Sequence, residues 1–333
     1  MTIQLPRLAL VLLVDAPEGY AATHFGDEQV ADPARAAERL SRGESCAVGV
    51  AEDRSAWLAL GRAQHVPVHV LRFGDAVAAS RLAREGFRRV HDARADTVVE
   101  RMPMPFDRRF DHGPFDIVGD VHGCHRELGA LLDRLGYAGA ARSHPAGRKA
   151  VFLGDLVDRG PDVHGVVTLV MAMVVAGHAL CVPGNHEHRL EKKLRRPPYA
   201  MTELADFLAS LPSHYVLDGG TLVVAHAGLP LAMHGRDSGA VRAFALYGET
   251  TGSMAHGVPV RADWSARYVG AATVVYGHTP VPEAVWVNNT ICIDTGCVYG
   301  GALTALRWPE REVVSVPAER VWAPQAGLMP LKK

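Results

Sequence analysis

Five short apolar runs, each closed by a polar residue beside a glycine, constrain this chain more than any other feature. Phe115–Val118 leads into Gly119-Asp120-Val121-His122-Gly123, and Ala150–Leu153 into Gly154-Asp155-Leu156-Val157-Asp158-Arg159-Gly160. Leu180–Val182 leads through Pro183 into Gly184-Asn185-His186-Glu187. Leu222–Ala225 leads into His226-Ala227-Gly228, and Thr273–Tyr276 into Gly277-His278-Thr279-Pro280. Short β-prone runs bounded by Gly read as buried strands. In layered α/β folds the carboxyl ends of strands are where sites are assembled. One such residue after a strand is ordinarily a cap or a turn former. Here three Asp, one Asn, four His and one Arg recur at five strand ends. That mixture of hard oxygen donors and imidazoles points to one centre for two divalent metals.

At 333 residues the chain can hold one large domain or two. Its 48% hydrophobic and 21% charged content is ordinary for a soluble globular protein. A net charge of −1 excludes a chain-wide electrostatic nucleic-acid binder, so any such binding would need a local patch. Lys192 to Pro198 is the one basic cluster; it reads either as a solvated helix end or as a basic rim for an anionic substrate. No apolar run approaches the ~20 residues of a membrane span. Leu8–Val14 lacks the charged start and small-residue cleavage site of a secretory signal and reads as a first strand. The five cysteines form no close CxxC pair and fit the reduced thiols of a cytoplasmic enzyme. Of these, Cys124 and Cys297 flank the polar segments and read as packing residues.

A Pro-rich and charged stretch, 101–113, marks a linker. Before it, Leu8–Val14, Cys46–Val50 and Val66–Leu71 read as extended, and Ser55–Gln64 and Ala76–Glu85 as helical. The alternation implies a small parallel α/β unit over residues 1–100. Residues 113–320 hold the five motifs and are expected to form a second domain, and 321–333 read as a tail. No internal repeat or low-complexity tract is detectable.

With these motifs in hand, residues 113 to about 317 resemble the calcineurin-like metallophosphoesterases, in the branch that includes protein Ser/Thr phosphatases. Within it, Gly113–Cys124, Ser213–Gly219, Arg242–Thr251, Val275–Pro282 and Ile291–Cys297 resemble the phosphatase domain of bacterial polynucleotide kinase-phosphatases. The resemblance implies a four-layer β-sandwich flanked by helices, with the N-terminal α/β unit appended. Arg84–His91 resembles the join to the kinase of those enzymes. A working P-loop needs Gly-rich amides, a Lys and a Ser/Thr. Here the first strand is followed by Asp15 to Thr23, with Ala21 and Ala22 at the decisive places and Asp15 and Glu18 adding negative charge. The unit therefore reads as a degenerate kinase remnant with a structural or docking role.

The resemblance also implies roles. Asp155 is the carboxylate bridging two metals. Asp120 and His122, two apart, can point the same way in an extended segment and hold the first. Asn185, His226 and His278 complete the second with Asp155. Mn²⁺ suits this donor set, with Fe or Zn²⁺ as alternatives. A hydroxide between the metals would attack phosphorus in line. Arg159 would bind a phosphoryl oxygen, and His186, oriented by Asp158, would protonate the leaving group. Glu187 and Asp294 have no assigned mechanistic role, although Asp294 reads best as a turn former.

The first expectation is a phosphoesterase releasing phosphate from phosphomonoesters, or opening 2′,3′-cyclic phosphates, at RNA or DNA ends. The alternatives are a protein Ser/Thr phosphatase, a dinucleoside polyphosphatase acting on nucleotides, and a catalytically silent adaptor. The oligomeric state is left open.

Overall fold

A computed structural model describes residues 1–50, 54–196, 203–255 and 258–324, without the side chains of 255–259. Pro197 and Pro198 of the basic cluster, and the end of the chain from residue 325, lie outside the described residues. The chain divides into two compact units. The first comprises Met1–Pro105 with Arg236–Val241, and the second Phe106–Gly235 with Arg242–Lys333.

The first unit carries a parallel sheet in the order Cys46–Gly49, Leu10–Val14, Val68–Phe73, Arg89–Ala93. Leu10–Val14 is buried along its whole length, as a central parallel strand covered on both faces must be. Leu10, Leu12 and Val14 face one apolar cluster, and Val11 and Leu13 the other. Helices Pro33–Ser41, Ser55–Ala63 and Ala79–Glu85 punctuate the strands. The stretch expected to begin a linker is structured: Val98–Met102 pairs in parallel with Thr2–Pro6. The turn after Leu10–Val14 passes Asp15 (φ 56°) and Gly19 (φ 77°) into a helix of only six residues, Tyr20–Phe25. Tyr20 is buried, and its hydroxyl donates to the Thr97 carbonyl at 2.8 Å.

The second unit is a sandwich of two sheets. One has the order Ala179–Cys181, Lys149–Phe152, Phe115–Val118, Ala302–Trp308, Glu312–Pro317. Its first three strands are mutually parallel, and Ala302–Trp308 runs antiparallel to Phe115–Val118. The other has the order Trp286–Val287, Thr290–Cys292, Thr273–Tyr276, Leu222–Val224, Tyr215–Leu217, Asp107–Arg108. The linker expected up to residue 113 thus enters this sheet as an edge strand at Asp107–Arg108.

Strand alternation assigns each side chain to a layer. Phe115, Ile117, Val151, Leu153, Leu180 and Val182 point between the sheets, where they meet Leu217, Leu222, Val224, Val275 and Ile291. Val118, Ala150, Phe152, Ala179 and Cys181 point outward under helices His125–Leu135 and Val163–Val175. Burial on both faces is why these strands read as continuous apolar runs. His125–Leu135 contributes Leu128, Leu131, Leu132 and Leu135, one face at helical spacing, and stops at Gly136 with φ 100°. The segment expected as a tail begins attached: the Trp322 indole donates to Glu127 Oε1 at 2.7 Å.

Polar groups also enter this interior, Asp116 among them. Asp116 is fully buried and accepts from Tyr137 Oη at 3.1 Å, Arg148 at 2.9 Å and Arg307 at 3.3 Å. Burial and the adjacent Asp116 charge push the Tyr137 hydroxyl far up. Breaking a buried ion pair by removing one partner costs more than the pair contributes. Arg148→Met is therefore expected to lower stability by about 3 kcal/mol, measured by urea unfolding. An unchanged midpoint and slope would refute it.

Candidate metal centre

The strands Phe115–Val118, Lys149–Phe152 and Ala179–Cys181 run parallel in one sheet, and Leu222–Val224 and Thr273–Tyr276 run parallel in the other. Their carboxyl ends deliver Asp120, Asp155, Asn185, His226 and His278 to one place. The two oxygens of Asp155 face different imidazoles. Oδ2 lies 3.3 Å from His122 Nε2, and Oδ1 lies 3.5 Å from His226 Nε2. His226 Nε2 is also 3.2 Å from Asn185 Oδ1 and 3.0 Å from His278 Nδ1. Asp120 closes the group, its carboxylate accepting from the His278 backbone N–H at 3.2 Å and lying 4.0 Å from His226 Nδ1.

The catalytic candidates adjoin this cluster. His186 Nδ1 is 2.6 Å from Asp158 Oδ2, while its Nε2 is 3.9 Å from Asp155 Oδ2. Arg159 Nη1 abuts His122 Nε2, and its guanidinium carbon lies 5.4 Å from the centre of the Tyr299 ring. All nine residues singled out in the sequence are thereby connected. One local expectation fails. Asp120 and His122 do not arrive through extended alternation, because His122 sits in a turn with φ 43°. Its backbone N–H donates to the Asp155 carbonyl at 2.7 Å, so the turn brings the two motifs together. Asp155, Asp158, Arg159 and His278 share this left-handed backbone, with φ of 46°, 68°, 69° and 72°. Non-glycine residues held there store strain that the surroundings must offset.

Two glycines are required by close approach. A Cβ at Gly184 would fall 2.1 Å from Asp155 Oδ1, and one at Gly277 would fall 2.1 Å from Asp120 Oδ1.

Hydrogen bonds fix the tautomers. His122 Nδ1 donates to the Val157 carbonyl at 2.9 Å, and His226 Nδ1 to the Leu153 carbonyl at 2.9 Å. Each ring therefore turns an Nε2 lone pair toward Asp155. Around His226 Nε2, the oxygens of Asp155 and Asn185 crowd the same point, while His278 Nε2 is buried without a partner. Acceptors converging without a matching proton are what a bound cation relieves, so the donor set fits divalent metals. The two triads His122–Asp155–His186 and Asp155–His226–His278 each bring three ligand atoms within 4.8 Å.

Charge in this buried pocket is finely balanced. Burial alone would raise Asp155, but the His226 and His122 imidazoles, when protonated, hold its carboxyl far below the usual range. Burial, with the charges of Asp294 and Asp155, pushes Asp120 well up. Burial likewise lowers His278 and, against the pull of Asp155, His186.

Glu187, for which the sequence offered no role, is fully buried. Its Oε2 accepts from the backbone N–H of Asp155 at 2.6 Å and of Gly184 at 2.8 Å. Its Oε1 accepts from Leu156 at 2.9 Å and Val157 at 3.1 Å. Burial and the Asp155 charge push it up to about 7, while these N–H donors pull the other way. Its signal was present: a Glu in the third position of a helix opened by Gly184, the spacing of a capping box. Asp294 makes the expected turn, accepting from Gly296 N at 3.1 Å. Tyr299 had no sequence signal.

Residues 113–282 match the family model of the calcineurin-like phosphoesterases. A bis(5′-nucleosyl)-tetraphosphatase [asymmetrical] of Anoxybacillus flavithermus is 43% identical over 230 residues, 61% of this chain and 94% of the relative. That of Bacillus subtilis is 42% identical over 230 residues, with the same coverage of 61% and 94%. A solved protein serine/threonine phosphatase from Saccharomyces cerevisiae is similar at 17% identity and a TM-score of 0.45, over 66% of this chain and 84% of that one.

The four bonds to Glu187 generate a test. Glu187→Gln keeps the volume but turns an amide N–H₂ against two of the backbone N–H groups that need an acceptor. The loop carrying Asp155 should loosen, with metal affinity falling about 10–100-fold at an unchanged maximal stoichiometry. Calorimetric Mn²⁺ titration measures this, and an unaltered affinity would remove Glu187 from the positioning role.

Proposed function

Because this chain belongs to the calcineurin-like phosphoesterase family, we propose that it hydrolyses dinucleoside tetraphosphates asymmetrically at a centre for two divalent metals. The reading is carried by Asp155, whose two oxygens face imidazoles supplied by opposite halves of the sandwich. The substrate class rests on the names of the relatives at 42–43% identity. It moves the reading from phosphomonoesters at nucleic-acid ends to the phosphoanhydrides of a nucleotide. We assign one ion to Asp120, His122 and Asp155 and the other to Asp155, Asn185, His226 and His278. Mn²⁺ suits these ligands, with Fe or Zn²⁺ as alternatives. Such a pair, when bound, supplies Lewis acidity toward phosphoryl oxygens and makes water acidic enough to attack near neutral pH.

The remaining steps belong to the chain. Arg159, resting on Tyr299, binds a phosphoryl oxygen of the scissile group and orients it. His186, with Nδ1 held by Asp158, presents Nε2 to the leaving oxygen and gives it a proton. Glu187 and the Leu153 and Val157 carbonyls hold the ligands in register. The five cysteines are all free and buried, which supports a reducing compartment such as the cytoplasm. We read the first unit as a kinase remnant without nucleotide chemistry, since buried Tyr20 occupies the start of the short helix where a phosphate cradle would open.

An unequal split of four phosphates gives a nucleoside monophosphate and a triphosphate. Chromatography after turnover of diadenosine tetraphosphate by the Mn²⁺-loaded protein should show AMP and ATP in equal amounts. Two equivalents of ADP, or cleavage confined to phosphorylated RNA ends or phosphopeptides, would contradict the assignment.

His186→Ala should slow an alkyl phosphate by about 10²–10⁴-fold and 4-nitrophenyl phosphate much less, because the activated phenol needs little protonation. Equal losses on both would exclude proton donation by His186. The full chain, with or without Ala21→Lys, should transfer no γ-phosphate from ATP to a 5′-hydroxyl oligonucleotide; labelled product would overturn the remnant reading.

A further inference from the structure

A cavity of about 340 Å³ shares a wall with the metal centre. Gly277, His278 and Thr279 form that wall, so the residue that ligates on one side lines the recess on the other. The opposite walls are aromatic and aliphatic: Trp264, Tyr276, Tyr247, Val285 and Val287. The indole of Trp264 lies 5.1 Å from the Tyr276 ring at 58°. It is also clamped from behind, since a Cβ at Gly228, in the His226 motif, would fall 2.0 Å from it. Its position is thus tied to the metal-binding turn. Val285 and Tyr247 are 58% and 40% exposed, leaving large apolar groups turned to solvent at the lining.

Three carboxylates line the recess, and Glu283 among them is exposed to solvent. Asp263 is occupied by Ser265 Oγ at 2.6 Å and Ala266 N at 3.2 Å, and Glu249 by Arg267. Arg261 brings a cation to the same recess, held by the Tyr247 carbonyl.

We infer that this recess seats one base of a nucleotide substrate, with Arg261 meeting the phosphates that lead from it to the metal centre. The inference rests on the dinucleoside polyphosphate reading and deepens it. The volume falls in the range of small-molecule pockets. The aromatic wall suits a flat π-system, and Arg261 beside it suits an anionic group attached to that system. Occupation of this recess sets which end of the polyphosphate lies over the ligands, the constraint that unequal cleavage needs.

Two variants outside the metal centre test it. Val285→Glu places a charge at the lining, and Tyr247→Ala removes a ring. For each, KM for diadenosine tetraphosphate should rise about 5–150-fold, the factor set by losing one base stack of ~1–3 kcal/mol. The rate on 4-nitrophenyl phosphate should stay within about twofold of wild type, a control for folding and metal loading. In parallel, AMP should bind the wild type in calorimetric titration and bind both variants more weakly by the same factor.

If the wild type cleaves diadenosine tetraphosphate and neither variant changes KM or AMP affinity, the recess is not the base site and the proposed function stands. If AMP binding is weakened by the variants but no dinucleoside tetraphosphate is cleaved, the recess stands and the proposed substrate falls. Parallel loss on both substrates, or no AMP binding by wild type, overturns the base assignment.

Discussion

The carboxylate of Glu187, sealed from solvent, takes the backbone N–H groups of Gly184, Asp155, Leu156 and Val157. These bonds tie the end of one strand to the start of the helix that follows the next. They hold Asp155 in a left-handed conformation it would not adopt alone. The close approach of Gly184 to the Asp155 carboxylate follows from the same knot. Once Asp155 is placed, His122 is fixed through its backbone bond to the Asp155 carbonyl. His226 and Asn185 then converge on the remaining oxygen side.

A site assembled this way concentrates like charges. Asp120, Asp155, Glu187 and Asp294 are all buried within one pocket. Buried charges are tolerated only where they are paired or coordinate a metal. Imidazoles with tautomers fixed by main-chain carbonyls add lone pairs to this charge rather than protons, and divalent cations are the natural completion. The arrangement explains why glycines line the motifs. The backbone must pass within contact distance of the carboxylates, and a side chain at Gly184 or Gly277 would occupy the position of an oxygen.

The sandwich serves this centre by opposing two sheets whose parallel strands end together. The apolar layer between them, from Phe115 and Leu153 to Val275 and Ile291, fixes their spacing. The recess bounded by Trp264, Tyr276 and Val285 shares the Gly277–Thr279 segment with the candidate metal centre.

The residues of the candidate site were legible in the sequence because strand ends and the polar residues that follow them are local patterns. Asp155 follows its apolar run, and His278 sits between Gly277 and Thr279, wherever the chain goes. The strands that carry the five motifs, and three of the first unit, were legible for the same reason to within a residue or two at their ends, whereas strands such as Arg89–Ala93 and Ala302–Trp308 were not read from the sequence. Three features were decided only in three dimensions. Glu187 acts on backbone groups some 31 residues away, at Leu156, and no spacing rule reaches so far. The turn at His122, not an extended segment, sets the ligand direction, because its shape depends on the Asp155 carbonyl of another strand. The recess is built from separate segments of the 227–292 region, among them 247–249, 261–265 and 276–279, that only packing brings together. Composition and local period report which side chains a chain carries and how each element faces its core. Packing of elements distant in sequence decides which of those side chains meet.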